Sequence, residues 1–325
     1  MKEKILEALK NNNDFISGEK LSRELGISRA AVWKHIKGIK EDGYKIESVS
    51  KKGYKLDYSP DLLTYSEIKD FLETKSLGRN FIHYDTIDST NLIAKKLARE
   101  GAVHGTVVLA EEQTSGRGRL GRTWISPKGT GIWVSIILRP NISAYAVSKL
   151  TLLGAAAVER AMDNMGIDAY IKWPNDLVLN RKKVCGILTE MSGEMDRVNY
   201  IVMGIGINVN MDGFPEEVSN MATSLKLETG KEVDRKILLA ALLNYLERFY
   251  NTFIEENNFE QVISICRKKS VLLGKEVKLI NGDDIKKAKA VDLDEEGELV
   301  VQYENGTLGK VLSGEVSVRG LYGYV

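Results

Sequence analysis

Residues 171–210 read IKWPNDLVLNRKKVCGILTEMSGEMDRVNYIVMGIGINVN, and their pattern decides how this chain folds. After Asp176 an apolar strand runs into a polar turn at Asn180–Lys182. A second strand carries Lys183, Gly186 and Leu188, and a third lies in NYIVMGIGINVN. Side chains alternate along a strand, so Ile201, Met203, Ile205, Ile207 and Val209 share one face. Val202, Gly204, Gly206 and Asn208 share the other. Two glycines and an asparagine leave that second face low, able to receive a flat ligand or another backbone. Tight sheet packing accounts for the same glycines. The strands around 183–191 and 199–210 are predicted to be sequential and antiparallel.

Working outward, a helix with a small-residue waist is predicted from Ser143 to about Gly166, where Gly154 and Ala155–Ala157 allow close approach to a sheet. Helices follow at about 234–249 and 258–269. The stretch VVLAEEQTS before residue 116 reads as a strand ending in a loop. Residues 271–325 hold short strand-like runs separated by Asn281-Gly282, Glu296-Gly297 and Asn305-Gly306, the turn chemistry of a small all-β module. Ser59-Pro60 reads as a linker. The predicted division is 1–60, 61–270 and 271–325, and the class is α+β.

The head reads as helix–turn–helix. Ser17 precedes Gly18–Leu25, Gly26 ends that helix, and Ser28 opens a second one from Arg29 to about Lys40. Val32, Ile36 and Ile39 face inward, while Arg29, Trp33, Lys37 and Lys40 form an outer face. The run YKIESVSKKGYKL alternates and turns at Lys51-Lys52-Gly53, a wing with two lysines at its tip. Residues 1–60 carry a net charge of +4 and the remainder −3, for +1 in the whole chain. A basic head with such a face suits a helix in the major groove, with Ser28, Arg29, Ala30, Trp33, Lys34, Lys37, Lys51 and Lys52 as the candidate DNA contacts. A three-helix packing module with a solvated basic face is the plainer alternative.

Composition narrows the classes. Apolar residues make up 43% and charged residues 28%, ordinary for a globular protein. The apolar runs are too short and interrupted for a membrane span of about 18–20 residues. The start, MKEKILEALKNNN, carries acids and has Ile5, Leu6 and Leu9 at helical spacing, unlike a signal peptide. Two cysteines without a CxxC or Cys/His cluster argue against a disulfide framework or structural zinc, and point to a reducing cytoplasm.

Two motifs carry chemistry. Gly116-Arg117-Gly118-Arg119-Leu120-Gly121-Arg122 precedes Thr123-Trp124. Its glycines let backbone N–H groups approach anionic oxygens, and its arginines offer bidentate donors for phosphate. It is neither a P-loop nor a dinucleotide fingerprint, and a basic glycine-rich loop also suits RNA or a plain surface loop. The second motif is Lys172-Trp173-Pro174-Asn175-Asp176-Leu177, in which Asn175 and Asp176 are also good turn formers and Lys172 and Lys183 could be surface cations.

Taken together, DSTN (88–91), GRGRLGR with its following Trp (116–124), KWPNDL (172–177), KKVCGIL (182–188) and GIGINVN (204–210) resemble the biotin–protein ligase family. With the head, the chain resembles the bifunctional bacterial type, which is both ligase and biotin operon repressor. The resemblance implies a winged helix-turn-helix, a central mixed sheet like that of class II synthetases and biotin–lipoate ligases, and a C-terminal SH3-like β-barrel. It implies formation of biotinyl-5′-AMP from biotin and ATP with Mg²⁺, then transfer of biotin to one lysine of a carboxylase carrier domain. It implies two further partners, operator DNA and a second copy of the chain in a homodimer promoted by the adenylate, and no membrane partner.

By the same resemblance Arg117, Arg119 and Lys183 are catalytic. Biotin is held by Ser89, Thr90, Asn91, Gln113, Gly116, Arg117, Gly118, Arg119, Lys183 and Gly186. The hydroxyl and amide groups suit a ureido ring with one acceptor and two donors. Trp124, Asn175, Asp176, Asn208 and Arg319 fall on the nucleotide side. Mg²⁺ is carried on the ATP phosphates without a dedicated ligand set. No protein nucleophile is required, which leaves Cys185 and Cys266 structural. Leu120 departs from the pattern of relatives with a second cation there, and Trp33 is bulky for a base-reading position. A DNA-binding biotin sensor with a ligase-like body that does not turn over is the alternative function.

Overall fold

The computed structural model describes residues 1–194, 197–281, 283–313, 317–320 and 324, with Ser317 and Arg319 described by their backbone alone. The chain forms two compact units, Met1–Leu62 and Leu63–Val325.

In the first unit, α1 (Lys2–Lys10), α2 (Gly18–Leu25) and α3 (Arg29–Glu41) precede a hairpin of β1 (Lys45–Val49) and β2 (Gly53–Tyr58). Polar caps set the helix starts. Ser17 Oγ accepts from Lys20 N–H and Ser28 Oγ from Ala31 N–H, each at 3.1 Å. Gly26 ends α2 in the left-handed region, where a Cβ would be strained. The core is Ile5, Leu9, Leu21, Val32, Ile36 and Ile39, all essentially inaccessible. Gly53 is forced by packing: at φ 114°, an added Cβ would lie 2.0 Å from Ile16 O.

The second unit opens with the short α4 (Tyr65–Ile68), then β3 (Phe81–Ile87), α5 (Thr90–Arg99), β4 (Val107–Gln113) and β5 (Gly131–Leu138). Next come α6 (Val147–Asp163), β6 (Tyr170–Lys172), β7 (Asp176–Leu179), β8 (Lys182–Gly193) and β9 (Val198–Asn208). Then follow α7 (Glu216–Ser219), α8 (Leu225–Thr229), α9 (Arg235–Glu256) and α10 (Glu260–Lys268). The last strands are β10 (Glu276–Asn281), β11 (Asp284–Leu293), β12 (Leu299–Tyr303), β13 (Leu308–Val311) and β14 (Ser317–Gly320).

Among the described residues the main sheet has seven strands in the order β3-β4-β5-β9-β8-β7-β6, with β3 and β4 parallel and the other neighbours antiparallel. The strands β10–β14 form a five-stranded antiparallel sheet within the same unit, in the order β13-β12-β11-β10-β14. The mixed central sheet, the helix-turn-helix head and the small antiparallel β domain agree with the fold class read from the sequence.

Alternation in β9 positions the site. Ile201, Met203, Ile205, Ile207 and Val209 join the main core with α6 and α9. Gly154 lets α6 press against this face, since an added Cβ would lie 3.0 Å from Met203 Sδ. On the opposite face Val202 packs with Ala94 and Ala98 of α5, Val108 and Ile137. Helix α5 therefore covers only part of that face, and the glycine-lined remainder faces a cleft.

Candidate active site

A cleft of about 330 Å³ lies over the uncovered end of the sheet, the size of a small-molecule site. Its floor follows from strand register. Gly186 of β8 stands opposite Gly206 of β9, and Leu188 opposite Gly204, with Ser135 of β5 on the other side of Gly204.

Both β9 glycines have a tenant. A Cβ at Gly204 would lie 2.0 Å from Asn91 Oδ1, and one at Gly206 would lie 2.5 Å from Trp124 Nε1. A Cβ at Gly186 would lie 2.9 Å from Trp124 Cζ3. The low face therefore receives an amide at one end and a flat indole at the other. The Trp124 Nε1 atom is buried without a hydrogen-bond partner, an unfavourable state for an indole N–H.

One end of the cleft is a neutral polar cluster. Thr90 N–H donates to Gln113 Oε1 at 2.8 Å, and Gln113 Nε2 donates to Ser126 Oγ at 2.8 Å. Ser135 Oγ–H donates to Asn91 Oδ1 at 2.6 Å and lies 2.8 Å from Thr90 Oγ1. Asn91 Nδ2 donates to Glu190 Oε2 at 2.9 Å and to Leu188 O at 3.3 Å. Burial alone would raise the Glu190 carboxyl. Hydrogen bonds from Lys95, at 2.7 Å, and from Asn91 reverse this and hold it below the ordinary carboxylate range. Asn91 thus has both donors engaged and keeps only a second lone pair on Oδ1. Ser89 is buried at the start of α5, and its side chain makes no cap hydrogen bond. It lines the cleft.

The other end is charged. Lys183 Nζ is 2.6 Å from Asp176 Oδ1, which also accepts from Asn175 Nδ2 at 3.0 Å. Asn175 Oδ1 accepts from Arg119 Nη1 at 2.7 Å. Burial lowers the Arg119 guanidinium pKa, with Asp176 opposing that shift. Asp176 Oδ2 accepts from Tyr324 OH, and Lys172 Nζ lies 3.3 Å from the Tyr324 ring centroid. Lys183 Nζ is 5.1 Å from the Trp124 ring centroid. Lys172 is 5% exposed, so it is no surface cation.

The glycine-rich loop is a small closed hairpin. Gly118 N–H donates to Arg122 O at 2.7 Å and Trp124 N–H to Gly116 O at 2.8 Å. Gly116 is required sterically, because a Cβ there would lie 2.4 Å from Trp124 O. Leu120 stands at φ 56° and is 72% exposed at the tip. Arg119 turns inward; Arg117 and Arg122 are exposed, though Arg117 still lines the cleft.

Of the residues singled out in sequence, Ser89, Thr90, Asn91, Gln113, Arg117, Gly118, Arg119, Trp124, Asn175, Asp176, Lys183, Gly186 and Asn208 line one cleft. Gly116 is not among the lining residues and packs closely against Trp124, Ser126 and Gln113. Asn208 Nδ2 donates to Thr223 O at 3.0 Å, which ties β9 to the 221–224 segment. Arg319 pairs through its backbone with Lys278, and its side chain lies outside the described residues.

Several wall residues were missed. Phe214, Val218, Met221 and Ala222 form an apolar wall. Their signal was the spacing of Phe214, Val218 and Met221, four and then three, in a polar stretch. Ser135, Glu190 and Tyr324 carried no local signal. Cys185 and Cys266 are buried, which pushes both thiols far up, Cys266 to about 12. Among the described residues no group of three or more His, Cys, Asp or Glu converges as a metal site.

In the first unit, Arg29, Ala30, Trp33, Lys34, Lys37, Lys51 and Lys52 are all exposed, with Trp33 at 59%. The Ser28 hydroxyl is engaged as the cap of α3.

Comparison with known proteins gives a consistent result. Residues 84–208 match the Biotin/lipoate A/B protein ligase family, residues 2–55 an HTH domain, and residues 272–319 the Biotin protein ligase C terminal domain. The bifunctional ligase/repressor BirA of Bacillus subtilis is 40% identical over 309 residues, covering 94% of each chain. That of Escherichia coli is 34% identical over 316 residues, covering 97% of this chain and 96% of the other. A biotin protein ligase from Aquifex aeolicus, solved with biotin and ATP, superposes with a TM-score of 0.66 at 36% identity. It covers 74% of this chain and 99% of that one.

Proposed function

The chain belongs to the biotin protein ligases of the bifunctional ligase/repressor type, and from that premise we propose how its residues divide the work. It is a biotin–[acetyl-CoA-carboxylase] ligase that joins biotin to ATP as biotinyl-5′-AMP, passes biotin to a carrier lysine, and represses transcription through its helix-turn-helix. The ligase chemistry falls to 61–270 with 271–325, and DNA binding to 1–60.

One observation carries the assignment of roles. A neutral hydrogen-bonding cluster and a cationic cluster stand at opposite ends of one glycine-floored cleft. The neutral end suits the ureido ring. Ser89, Thr90 and Gln113 offer hydroxyl and amide groups, and Asn91 holds the floor while keeping a lone pair for a ring N–H. The cationic end suits the reacting groups. Attack of a carboxylate on an α-phosphate brings two anions together, and Lys183, Arg119 and Arg117 offset that repulsion and the transition-state charge. Gly116 and Gly118 let the loop backbone approach the same oxygens. Lys183 must turn from Asp176 to the substrate oxygens, a short move for a flexible stem.

Trp124 marks a seat for a flat ring. Its unpartnered indole leaves Gly186 and Gly206 at little cost in hydrogen bonding when ligand arrives, and then packs on the adenine. Asn175, Asp176, Asn208 and Arg319 serve the nucleotide side. Mg²⁺ would come with the ATP phosphates and supply charge neutralisation there, and Asp176 is the carboxylate of the cationic cluster that would face it.

For repression, Arg29, Trp33, Lys34 and Lys37 on one exposed helix face, with the wing-tip lysines 51 and 52, suit a major groove and its flanking phosphates. The Ser28 and Ala30 positions bring the helix N-terminus close to the DNA backbone. A dimer promoted by the adenylate would present two heads to a two-fold operator. A cytoplasmic setting fits these substrates and the buried free thiols, and no described helix is long and apolar enough to cross a membrane.

The test is biotin-dependent exchange of labelled pyrophosphate into ATP. Exchange with biotin and none with lipoate or octanoate is the expected result. No exchange from folded protein would move the reading to a DNA-binding biotin sensor without turnover.

A further inference from the structure

Tyr324 lies outside every motif in the sequence, yet it touches the centre of the cationic cluster. Lys172 and Asp176 face each other across the β6–β7 turn, as the paired residues of that hairpin. Tyr324 spans both. Its hydroxyl donates to Asp176 Oδ2, and its ring lies under Lys172 Nζ, 3.3 Å from the centroid. The two Asp176 oxygens are thereby divided: Oδ2 serves Tyr324, while Oδ1 serves Lys183 at 2.6 Å and Asn175 at 3.0 Å. Asn175 in turn orients Arg119 at 2.7 Å. One tyrosine is therefore coupled through a single carboxylate to two of the cations that meet the substrate, Lys183 and Arg119.

We infer that Tyr324 is a positioning residue for the nucleotide half-reaction, acting through Asp176 on Lys183 and Asn175. The inference rests on the ligase reading above. While Lys183 is turned toward phosphate, the Asp176 carboxylate loses its cation and keeps the Asn175 amide on Oδ1, about which it can pivot, so it needs a donor on Oδ2 to stay in place. Without one, it is free to swing toward the incoming phosphates, which it repels, or to recapture Lys183. The Tyr324 hydroxyl is that donor, and the contact with Lys172 fixes the ring from which it points. The ureido ring at the neutral end does not touch this linkage and biotin meets it through its carboxylate alone, so biotin affinity depends on it less than ATP affinity does.

Tyr324→Phe keeps the ring on Lys172 and removes the hydrogen bond. Tyr324→Ala removes both. In the full-length protein, KM for ATP in biotin-dependent pyrophosphate exchange should rise about tenfold in the Phe variant, the usual worth of a hydrogen bond to a charged group. It should rise further in the Ala variant. Biotin affinity measured by calorimetry without ATP should fall by less than KM for ATP rises, and the melting temperature of the Phe variant should fall by no more than about 3–6 °C. A Phe variant with unchanged KM for ATP overturns the inference, and so does one that loses biotin affinity as much as ATP. A wild-type protein without exchange would instead refute the ligase reading, which separates the two failures.

Discussion

Gly204→Ala tests whether the cleft floor is built around Asn91. The added methyl would lie 2.0 Å from Asn91 Oδ1, 2.8 Å from Cγ and 3.0 Å from Nδ2, so the amide must move. It has nowhere to go without breaking its bonds to Ser135 and Glu190. Overpacking a filled site costs about 1–3 kcal/mol. Losing one neutral hydrogen bond and weakening one to a half-buried carboxylate adds about 2 kcal/mol. Replacing a strand glycine returns about 0.5–1 kcal/mol. The net is about 3 kcal/mol, or a fall of roughly 6–12 °C in the melting of the second unit. The assay is scanning calorimetry, following the transition that shifts with biotin.

Gly206→Ala is the matched control. Its methyl would lie 2.5 Å from Trp124 Nε1, but that atom has no hydrogen bond to lose. The indole is displaced from the floor at a cost below about 1 kcal/mol, comparable to a surface change. Equal melting temperatures for the two variants, or a Gly204→Ala protein as stable as wild type, would refute the reasoning. A double-mutant cycle with Asn91→Ser sharpens it, because the shorter side chain makes room and the two changes should couple by at least about 1 kcal/mol.

Arg119→Ala removes the bond to Asn175 and should release the adenylate at least about tenfold faster, while the melting temperature holds; a large melting loss would make this arginine structural. Trp124 should leave a buried seat when ligand binds, so its fluorescence should change with biotin and ATP, and Trp124→Phe should remove that change. The Glu190 carboxyl sits below its ordinary range, so its contribution is present above the ordinary carboxylate pKa and lost as pH falls through the lower folded value. Stability of wild type relative to Glu190→Gln should therefore be level at neutral pH and narrow only in acid; a difference that narrows toward alkaline pH would contradict this. Ser135→Ala should weaken biotin binding by about fivefold without touching ligand, since it holds Thr90 and Asn91; unchanged affinity would remove it from the site.

Local rules carried most of the architecture. Ser17, Ser28 and Gly26 bound their helices as cap chemistry dictates, and the alternation in 201–209 put its apolar set on the core side. The glycines at 204 and 206 marked a low face, but local pattern could not say what lies on it. Asn91 and Trp124 come from elements 113 and 82 positions earlier in the chain than Gly204 and Gly206. For Lys172 the sequence left a surface cation open as an alternative, because its burial depends on what packs above it, Tyr324 among them.

The sequence alone determined the class of the chain: a basic helix-turn-helix, a mixed-sheet body with a glycine-arginine loop and KWPND, and a small β module. Those features are written in caps, alternation and motif order, which act over a few residues. Only the tertiary structure decided which side chains share the cleft and which already have partners. Ser135, Glu190 and Tyr324 reach Asn91 and Asp176 across strand register and from distant parts of the chain, over separations as long as 148 positions. Contacts of that kind depend on how whole elements pack, and hydrogen bonds and charges inside the cleft are settled only once that packing is complete.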